Sequence, residues 1–369
     1  MIPHFLLEKI HHTPTRKIDY AEYMITVLYH PIEGYYMKEK EKVGGKGDFL
    51  TTSNVHTIFG KVFAKLFVQY IVDTGLDPFF IEIGGGNGRF AKQFLEEVEI
   101  LDKEIYKRMS YVMVETSPYH IQLQRHHIPN SAPIIYTSGL EDVPKHARKG
   151  IVFSNELFDA LPVHVIEYTD EGLKEVFVSV DESGKLTEIK SPLENDDILA
   201  YLSEYNVELT EGQRMEIPLA MKMYAEILGQ WLEAGTIITV DYGYRFQELT
   251  NQELKNGSLR GYYHHSMIAN PLRYPSEMDL TSHIHLDALE ECFIKSSFSH
   301  VCTMRQGEFL IAAGILDYLQ ENQDSNPFSE KSKQNRAIRS LIMDSSWSNS
   351  FCVMLHEKGT DGWKTIKSD

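Results

Sequence analysis

The chain has 369 residues, a formal net charge of −17 and 42% hydrophobic residues, which is enough for one large α/β domain with insertions or two ordinary domains. The acidic balance argues against non-specific nucleic-acid binding, which needs a basic surface. Three cysteines form no metal-type C-x-x-C spacing, and no apolar run reaches the length of a membrane-spanning helix. With no signal-peptide or transit-peptide pattern at the N-terminus, these features predict a cytoplasmic protein that does not insert into a membrane.

The first 75 residues predict an N-terminal helical segment followed by a polar loop. Tyr20, Met24, Val27 and Leu28 recur on one face of an amphipathic helix that we expect to cover residues 1 to about 30. The glycine-rich stretch 44–53 then precedes a second helix. This stretch is either a surface connection or a loop that folds over a ligand, in which case Asp48 contacts the substrate.

Residues 79–89 predict a buried strand, a glycine turn and the start of a helix, which is half of a nucleotide-binding βαβ unit. The turn has two registers. The first reads Glu82-x-Gly84-x-Gly86-x-Gly88 and resembles motif I of the class I S-adenosylmethionine-dependent methyltransferases. The second reads Gly86-x-Gly88-x-x-Ala91 and satisfies the looser dinucleotide fingerprint. The first register places its leading glycine directly after the strand, and a purely structural glycine turn is the third interpretation.

A second strand is predicted at 111–115, and it ends in Glu115. In dinucleotide and S-adenosylmethionine folds, an acid at this strand end accepts hydrogen bonds from ribose hydroxyls. The alternative is a solvated acid. A third strand at 134–136 is followed by a loop in which Leu140 and Glu141 would lie near the adenine of such a ligand.

A fourth strand at 150–154 runs into the polar cluster Asn155, Glu156 and Asp159. The carboxyl end of a central strand is where α/β sheets bind ligands. An asparagine carbonyl can accept a hydrogen bond from a nucleophilic nitrogen and orient its lone pair, and carboxylates can hold a guanidinium in bidentate fashion. The alternative is that Asn155 is an ordinary helix N-cap.

The remaining strands bracket two inserted segments. Residues 164 to about 192 alternate apolar and polar positions, which predicts a hairpin or small meander. A fifth strand at 236–240 ends in Asp241-Tyr242-Gly243, and the last two strands are predicted at 298–304 and 351–355. In the segment that follows the fifth strand, His283-x-His285 could point two imidazoles to one side as metal ligands. No carboxylate or cysteine spacing completes a metal signature there. A segment that covers the substrate is favoured, and no metal site is predicted.

Taken together, these motifs resemble the MidA-like family of class I methyltransferases, which includes the mitochondrial complex I assembly factor that methylates a protein arginine. The resemblance extends from about residue 15 to about residue 358, and its most specific part is the segment 155–163. The chain departs from the family pattern at three places. Gly85 lies where the family commonly has proline or alanine, and Ser53-Asn54 lies where the family tends to have an acidic residue. Pro275-Ser276 lies where the family tends to have Pro-Gly. The absence of a mitochondrial targeting segment suggests a bacterial cytoplasmic member.

The resemblance implies an α/β Rossmann-like fold with a seven-stranded, mostly parallel sheet flanked by helices. The strand order would be 3-2-1-4-5-7-6, with the last strand antiparallel. Residues 76–369 would form the methyltransferase domain, with insertions at about 164–215 and 243–297 that cover the active site.

The implied function is transfer of a methyl group from S-adenosyl-L-methionine to an arginine nitrogen of a partner protein. The candidate cofactor-binding residues are Glu82, Gly84, Gly86, Gly88, Glu115, Thr116, Leu140, Glu141 and Asn155. The candidate catalytic residues are Asn155, Glu156, Asp159, Asp48 and Asp241. Two alternatives stay open: a non-catalytic assembly factor that binds the same cofactor, and an NAD(P)-dependent oxidoreductase.

Overall fold

The computed structural model describes residues 2–40, 42, 57–249, 254–321, 326, 328–343, 351–364 and 366. Its strands are β1 (Lys17–Asp19), β2 (Phe79–Ile83), β3 (Ser110–Val114), β4 (Ile134–Thr137), β5 (Lys149–Asn155), β6 (His164–Thr169), β7 (Gly172–Val180), β8 (Leu186–Pro192), β9 (Arg214–Ile217), β10 (Ala234–Tyr244), β11 (Arg260–Tyr263), β12 (Ser266–Ile268), β13 (Asp279–Thr281), β14 (Ile284–His285), β15 (Ser299–Arg305) and β16 (Phe351–Lys358). Its helices are α1 (His4–His12), α2 (Tyr20–Tyr29), α3 (Ile58–Thr74), α4 (Arg89–Leu101), α5 (Lys103–Arg108), α6 (Pro118–His127), α7 (Asp196–Glu204), α8 (Leu219–Trp231), α9 (Phe246–Leu249), α10 (Leu286–Lys295), α11 (Gln306–Ala312) and α12 (Glu330–Ile342). Within the described ranges, the helices are all too short or too polar to span a bilayer.

The chain divides into two compact units, each assembled from three separate segments. The unit that we call the meander unit comprises Met1–Phe49, Phe158–Glu226 and Gly243–Glu291. The other, the sheet unit, comprises Leu50–Leu157, Ile227–Tyr242 and Cys292–Asp369.

The sheet unit contains the predicted doubly wound sheet. Seven of its strands lie in the order β15-β16-β10-β5-β2-β3-β4, and the two-residue strand β14 adds an eighth by pairing in parallel with the end of β10. If these seven strands are renumbered in chain order, the sheet reads 3-2-1-4-5-7-6 from the β4 edge. The last strand, β16, is antiparallel to both of its neighbours, whereas β10, β5, β2, β3 and β4 pair in parallel. The strand order and the antiparallel last strand implied by the family resemblance are therefore confirmed.

Aromatic packing joins the central strands to the helix that follows the glycine turn. All five residues of β2 are buried, as expected for a central parallel strand covered on both faces. The rings of Phe90 on α4 and Phe153 on β5 stack with centroids 4.4 Å apart, and Phe80 on β2 lies 5.8 Å from Phe153. This packing fixes where β2 ends and where α4 begins, and so fixes both ends of the turn between them.

The meander unit is built from antiparallel strands. β6, β7 and β8 form the meander predicted from the alternation in residues 164–192, and β1 and β9 extend it in the order β1-β7-β6-β9. A second sheet has the order β12-β11-β13. Helices α1 and α2 contribute to the apolar core of this unit through residues that include Leu6, Tyr23 and Val27.

The helical segment predicted over residues 1 to about 30 is divided into two helices by a short strand. Helix α1 ends at His12, two residues before Pro14, and proline disfavours a helical conformation in the residue before it. The chain then forms the three-residue strand β1, which pairs with β7. Asp19 starts the second helix as its N-cap, because its side chain accepts a hydrogen bond from the Glu22 backbone N–H.

The structure explains why glycine would suit position 276. Ser276 has a φ of 62°, in the left-handed region that costs an L-residue about 1–2 kcal/mol. Its buried Oγ has no hydrogen-bond partner among the described residues, which adds a desolvation cost. The serine that replaces the family's glycine is therefore destabilising.

We predict that Ser276→Gly raises the free energy of unfolding by about 1 kcal/mol, after the greater freedom of glycine in the unfolded chain is subtracted. Urea denaturation followed by circular dichroism measures this change. The reverse substitution at Gly257, where φ is 76° and a Cβ would clash with Glu216 Oε1, serves as the opposite control and should destabilise the protein. A Ser276→Gly variant that is less stable than the wild type would contradict the strain argument.

Candidate active site

The turn between β2 and α4 is a loop with three glycines in left-handed conformations. The φ angles are 72° at Gly84, 51° at Gly86 and 77° at Gly88. In the part of the chain that the structure describes, no atom beyond the neighbouring residues lies within 4 Å of a Cβ placed on Gly86, whereas a Cβ on Gly88 would lie 2.9 Å from Gln124 Cγ. Gly86 therefore exposes bare backbone to open space, and Gly88 permits close packing against α6.

Packing, rather than backbone conformation, favours glycine at position 85. A Cβ at this position would overlap Met113 Sδ on the neighbouring strand and would lie 2.8 Å from Glu82 Oε2. The family's usual proline or alanine would displace the methionine. Glycine at position 85, in place of the family's proline or alanine, therefore leaves room for the Met113 side chain on β3.

Two side chains of α6 hold the glycine loop, and the sequence analysis did not identify them. Gln124, which is fully buried, donates from Nε2 to the Gly86 carbonyl at 2.8 Å. The Nδ1 atom of His127 lies 2.7 Å from the Asn87 carbonyl oxygen. The N-cap Ser117 followed by Pro118 signals the start of this helix, but no sequence pattern shows that its side chains reach the loop.

Glu115 follows β3 directly, as predicted, and is 7% exposed. Its Oε1 accepts a hydrogen bond from the Ser117 backbone N–H at 2.8 Å. Its Oε2 lies 3.5 Å from Gln124 Nε2 and 3.6 Å from His120 Nδ1. The carboxylate is thus fixed beside the glycine loop, where it could accept hydroxyl donors.

Glu82 is buried beneath the loop and is 4% exposed. Its Oε2 accepts a hydrogen bond from the Tyr111 hydroxyl at 2.7 Å. Burial raises the pKa of Glu82 to about 8, and the negative charge of Glu115 adds to the rise, although the Tyr111 hydrogen bond opposes it. At neutral pH this carboxyl group therefore carries a proton for much of the time.

The other three predicted cofactor residues differ in their surroundings. Thr116 is exposed in the turn after β3, and Glu141 is exposed in the 3₁₀ turn Leu140–Asp142. Leu140 is buried, and its carbonyl oxygen accepts a hydrogen bond from Trp231 Nε1 at 3.1 Å. The roles of these three residues toward a cofactor stay predictions.

Asn155 is the last residue of β5, and Glu156 directly follows it in a left-handed conformation with a φ of 53°. The amide Nδ2 of Asn155 donates to Glu156 Oε1 at 3.1 Å, and the Glu156 backbone N–H donates to the Val240 carbonyl at 2.9 Å. Asn155 Oδ1 is buried and has no hydrogen-bond partner among the described residues. Because β5 ends here without starting a helix, the alternative role of Asn155 as an N-cap is excluded.

The aspartates predicted for catalysis are distributed over different parts of the structure. Asp241 lies inside β10, paired with Cys352, and its Oδ1 accepts a hydrogen bond from the Tyr242 backbone N–H at 2.9 Å. Asp241 lies in the last part of the strand, as predicted, and pairing with β16 and β14 carries β10 on to Tyr244. Asp159 is buried in the meander unit, where its carbonyl oxygen accepts from the Ser282 N–H. Asp48, like Ser53 and Asn54, lies outside the described residues.

The two histidines considered as metal ligands point to different partners. His283 contacts the guanidinium of Arg260, and His285 Nδ1 lies 2.8 Å from the Tyr201 hydroxyl. Burial lowers the pKa of both to about 3, and the charge of Arg260 adds to the effect at His283. Both rings are therefore neutral at physiological pH and serve as hydrogen-bonding groups of the meander unit.

A glycine loop at the end of β2, an acid at the end of β3 and a polar pair at the end of β5 define a nucleotide-binding α/β protein. Residues 63–302, more than half of the chain, match the model of the family described as "Putative S-adenosyl-L-methionine-dependent methyltransferase". The chain belongs to that family. Membership of this family agrees with the methyltransferase register of the glycine loop, Glu82-x-Gly84-x-Gly86-x-Gly88.

Similar proteins extend the comparison. The chain is 27% identical over 330 residues to the mitochondrial protein arginine methyltransferase NDUFAF7 of Mus musculus, covering 82% of this chain and 72% of that protein. The human protein of that name is 26% identical over 330 residues, with coverage of 82% and 71%. A COG1565 superfamily member from Burkholderia thailandensis, solved with S-adenosyl-homocysteine, has a TM-score of 0.85 at 25% identity, covering 94% of this chain and 89% of that one.

The residues present fit S-adenosyl-L-methionine, the cofactor of the family. The open space above Gly86 leaves backbone accessible to a ligand, and the carboxylate of Glu115 can accept hydroxyl protons of a ribose. The unpaired Asn155 Oδ1 provides a further acceptor at the same edge of the sheet. When bound, the cofactor supplies a methyl group on a positively charged sulfur.

We predict that Glu82→Gln changes the pH dependence of stability. Because the folded-state pKa of Glu82 is raised from 4.5 to about 8, the folded protein keeps a proton that the unfolded chain loses, and the stability of the wild type falls as pH rises through this window. The variant lacks this loss, so its stability relative to wild type should improve by up to about 1.4 kcal/mol per pH unit between pH 5 and pH 8. Urea denaturation at each pH measures the difference.

A surface variant, Glu96→Gln on α4, provides the comparison, since its side chain is 57% exposed. Its stability should follow that of the wild type across the same pH range. Parallel curves for Glu82→Gln and the wild type would contradict the raised pKa.

We predict that Gly86→Ala lowers the affinity for S-adenosyl-homocysteine at least tenfold, because the added methyl group occupies the space in which the ligand approaches the backbone. Gly75→Ala is the matched control: Gly75 has a φ of 68°, and a Cβ there also meets no atom within 4 Å, but it caps the C-terminus of α3. Both variants should lose about 1 kcal/mol of stability. Calorimetric titration should show weakened binding only in Gly86→Ala, and equal losses would refute a specific role of the loop.

Proposed function

We propose that this enzyme methylates an arginine nitrogen of a partner protein. The observation that carries the proposal is the Asn155–Glu156 pair, in which an unpaired carbonyl oxygen and a carboxylate lie side by side at the end of β5. Relatives named as protein arginine methyltransferases support it at 26–27% identity. The acidic charge of −17 suits a basic protein segment as the partner, and we place the reaction in the cytoplasm.

Asn155 orients the acceptor nitrogen. Its Nδ2 is engaged by Glu156 Oε1, so the Oδ1 atom faces away from that contact and accepts an N–H of the incoming group. An accepted hydrogen bond fixes the nitrogen and directs its lone pair toward the methyl carbon. Alignment of this kind contributes up to about 7–11 kcal/mol to barrier reduction in favourable cases.

Glu156 makes the nitrogen reactive. A guanidinium has a pKa above 12, and its delocalised charge makes each nitrogen a poor nucleophile. A carboxylate beside it localises the positive charge on the nitrogens that it contacts and leaves more electron density on the target nitrogen. The left-handed backbone at Glu156 costs roughly 1–3 kcal/mol, and strain of this kind is common where a side chain is positioned for chemistry.

Asp159 and Asp241 are the further carboxylates of the proposal. Asp159 is 3% exposed and follows Glu156 by three residues, and Asp241 is 1% exposed beside the Asn155–Val240 pairing. The carboxylate of Asp241 would supply an additional guanidinium contact, and the catalytic role of Asp159 stays a prediction from the sequence. Asp48 keeps its predicted contact with substrate.

The experiment combines transfer of labelled methyl groups with identification of the modified residue. Purified enzyme is incubated with labelled S-adenosyl-L-methionine and cell-extract protein, and labelled peptides are analysed by tandem mass spectrometry. We expect methyl groups on arginine nitrogens. Labelling confined to lysine or to small molecules would refute arginine as the acceptor.

Glu156→Gln tests the role of the carboxylate. We predict a fall in kcat of about 10²-fold or more, comparable to the loss of one transition-state contact, with unchanged affinity for S-adenosyl-homocysteine. Glu233→Gln, at an exposed position just before β10, is the matched control and should retain wild-type turnover. If Glu156→Gln turns over at the wild-type rate with an unchanged circular dichroism spectrum, Glu156 does not activate the acceptor.

A further inference from the structure

Three metal-ligating side chains meet in the meander unit, far along the chain from the glycine loop. They are Asp19 at the end of β1, His164 at the start of β6, and Glu175 within β7, and we call them the His164 cluster. One ligand atom of each lies within 4.8 Å of the others. The shortest separation, between His164 Nδ1 and Glu175 Oε1, is 3.0 Å.

The sheet register places all three on one face. Asp19 pairs with Phe177 across β1 and β7, and Glu175 lies two residues before Phe177. Ile166 pairs with Glu175 across β6 and β7, and His164 lies two residues before Ile166. Because side chains alternate along a strand and directly paired residues share a face, Asp19, His164 and Glu175 project to the same side.

The cluster is pre-organised. Asp19 Oδ1 accepts the N-cap hydrogen bond from the Glu22 N–H at 2.7 Å, which fixes the orientation of the carboxylate. Glu175 is 5% exposed, and the side chain of His164 is 14% exposed. Three ligands from three different strands are therefore held with little freedom to rotate.

The charge of the cluster favours a cation. Burial alone would lower the pKa of His164, but the hydrogen bond to Glu175 and the charges of Asp19, Glu175 and Asp197 raise it above its ordinary value. Lys17, two residues before Asp19, directs its amine to Ser191 Oγ at 2.5 Å and over the Phe177 ring. Two carboxylates, those of Asp19 and Glu175, thus lie close to the single imidazole of His164. A positive charge placed among the three groups is stabilised.

We propose that the His164 cluster is a structural site for a first-row divalent transition metal, with Zn²⁺ as the preferred ion. One imidazole and two carboxylates are ligands that Zn²⁺ accepts, and water completes four-coordination. With bonds of about 2.0–2.1 Å, ligand atoms of a tetrahedral site lie about 3.3 Å apart, close to the His164–Glu175 separation. Mg²⁺ and Ca²⁺ prefer all-oxygen sites and are disfavoured by the imidazole. The metal would join β1 and the start of α2 to the meander.

The test uses the full chain, freed of metal with a chelator and titrated with ZnCl₂ by calorimetry. We expect one Zn²⁺ per chain with a Kd of about 1 μM or below, and weaker than millimolar binding of Mg²⁺ and Ca²⁺. Binding should release a proton from His164 below pH 7, seen as a heat that depends on the ionisation enthalpy of the buffer.

Three variants decide the assignment. His164→Gln and Asp19→Asn should each weaken Zn²⁺ binding at least tenfold, and Asp19→Asn retains a side chain that can cap α2. His12→Gln, which removes an exposed imidazole from α1, is the matched control and should bind like the wild type. Equal affinity in all variants would locate the ion at surface histidines and refute the site. Absence of binding in the folded wild type would show that the cluster holds only a shared proton.

Discussion

The contact among Phe80, Phe90 and Phe153 is the interaction on which the site depends. These rings come from β2, α4 and β5, and their centroids lie 4.4–6.3 Å apart. Aromatic pairs at such distances contribute about 0.5–1.5 kcal/mol each beyond the area that they bury. Since β2 and α4 lead into and out of the glycine loop and β5 ends in Asn155, one apolar cluster sets the spacing between the glycine loop and the Asn155–Glu156 pair. The chemistry at the edge of the sheet thus rests on packing directly below it.

The site also depends on the electrostatic interaction between two carboxyl groups. Glu82 and Glu115 lie at the ends of neighbouring strands, and burial, together with the negative charge of Glu115, raises the pKa of Glu82. Tyr111 donates to Glu82 in either protonation state, so this buried carboxyl stays satisfied. A ligand that carries positive charge lowers the energy of the ionised form.

The sequence predicted the parts of the fold that repeat a local pattern. The apolar run Phe79–Ile83 and the glycines after it predict a strand and a tight turn, and the alternation of apolar and polar residues after residue 164 predicts a meander. Three-residue β1 escaped prediction because its stability comes from β7, whose pairing residues lie about 160 positions later. The full length of β10 has the same origin, since its pairing with β16 depends on residues more than 100 positions later. Gln124 and Tyr111, which hold the loop and Glu82, carry no local signal because their roles arise only when helix and strand meet. The strand order itself came from family resemblance, not from periodicity.

The segmented composition of the meander unit has a consequence for biosynthesis. Asp19 on β1 cannot pair with Phe177 until that residue has been synthesised, 177 − 19 = 158 residues later. At about 5–20 residues per second, this delay is on the order of 10–30 s, during which the apolar face of α2 has no sheet to cover it. The nascent chain therefore exposes Tyr23, Met24 and Val27 for much of translation. Slowed elongation or loss of chaperones that bind early would lower the yield of folded protein more than the stability of the finished molecule suggests.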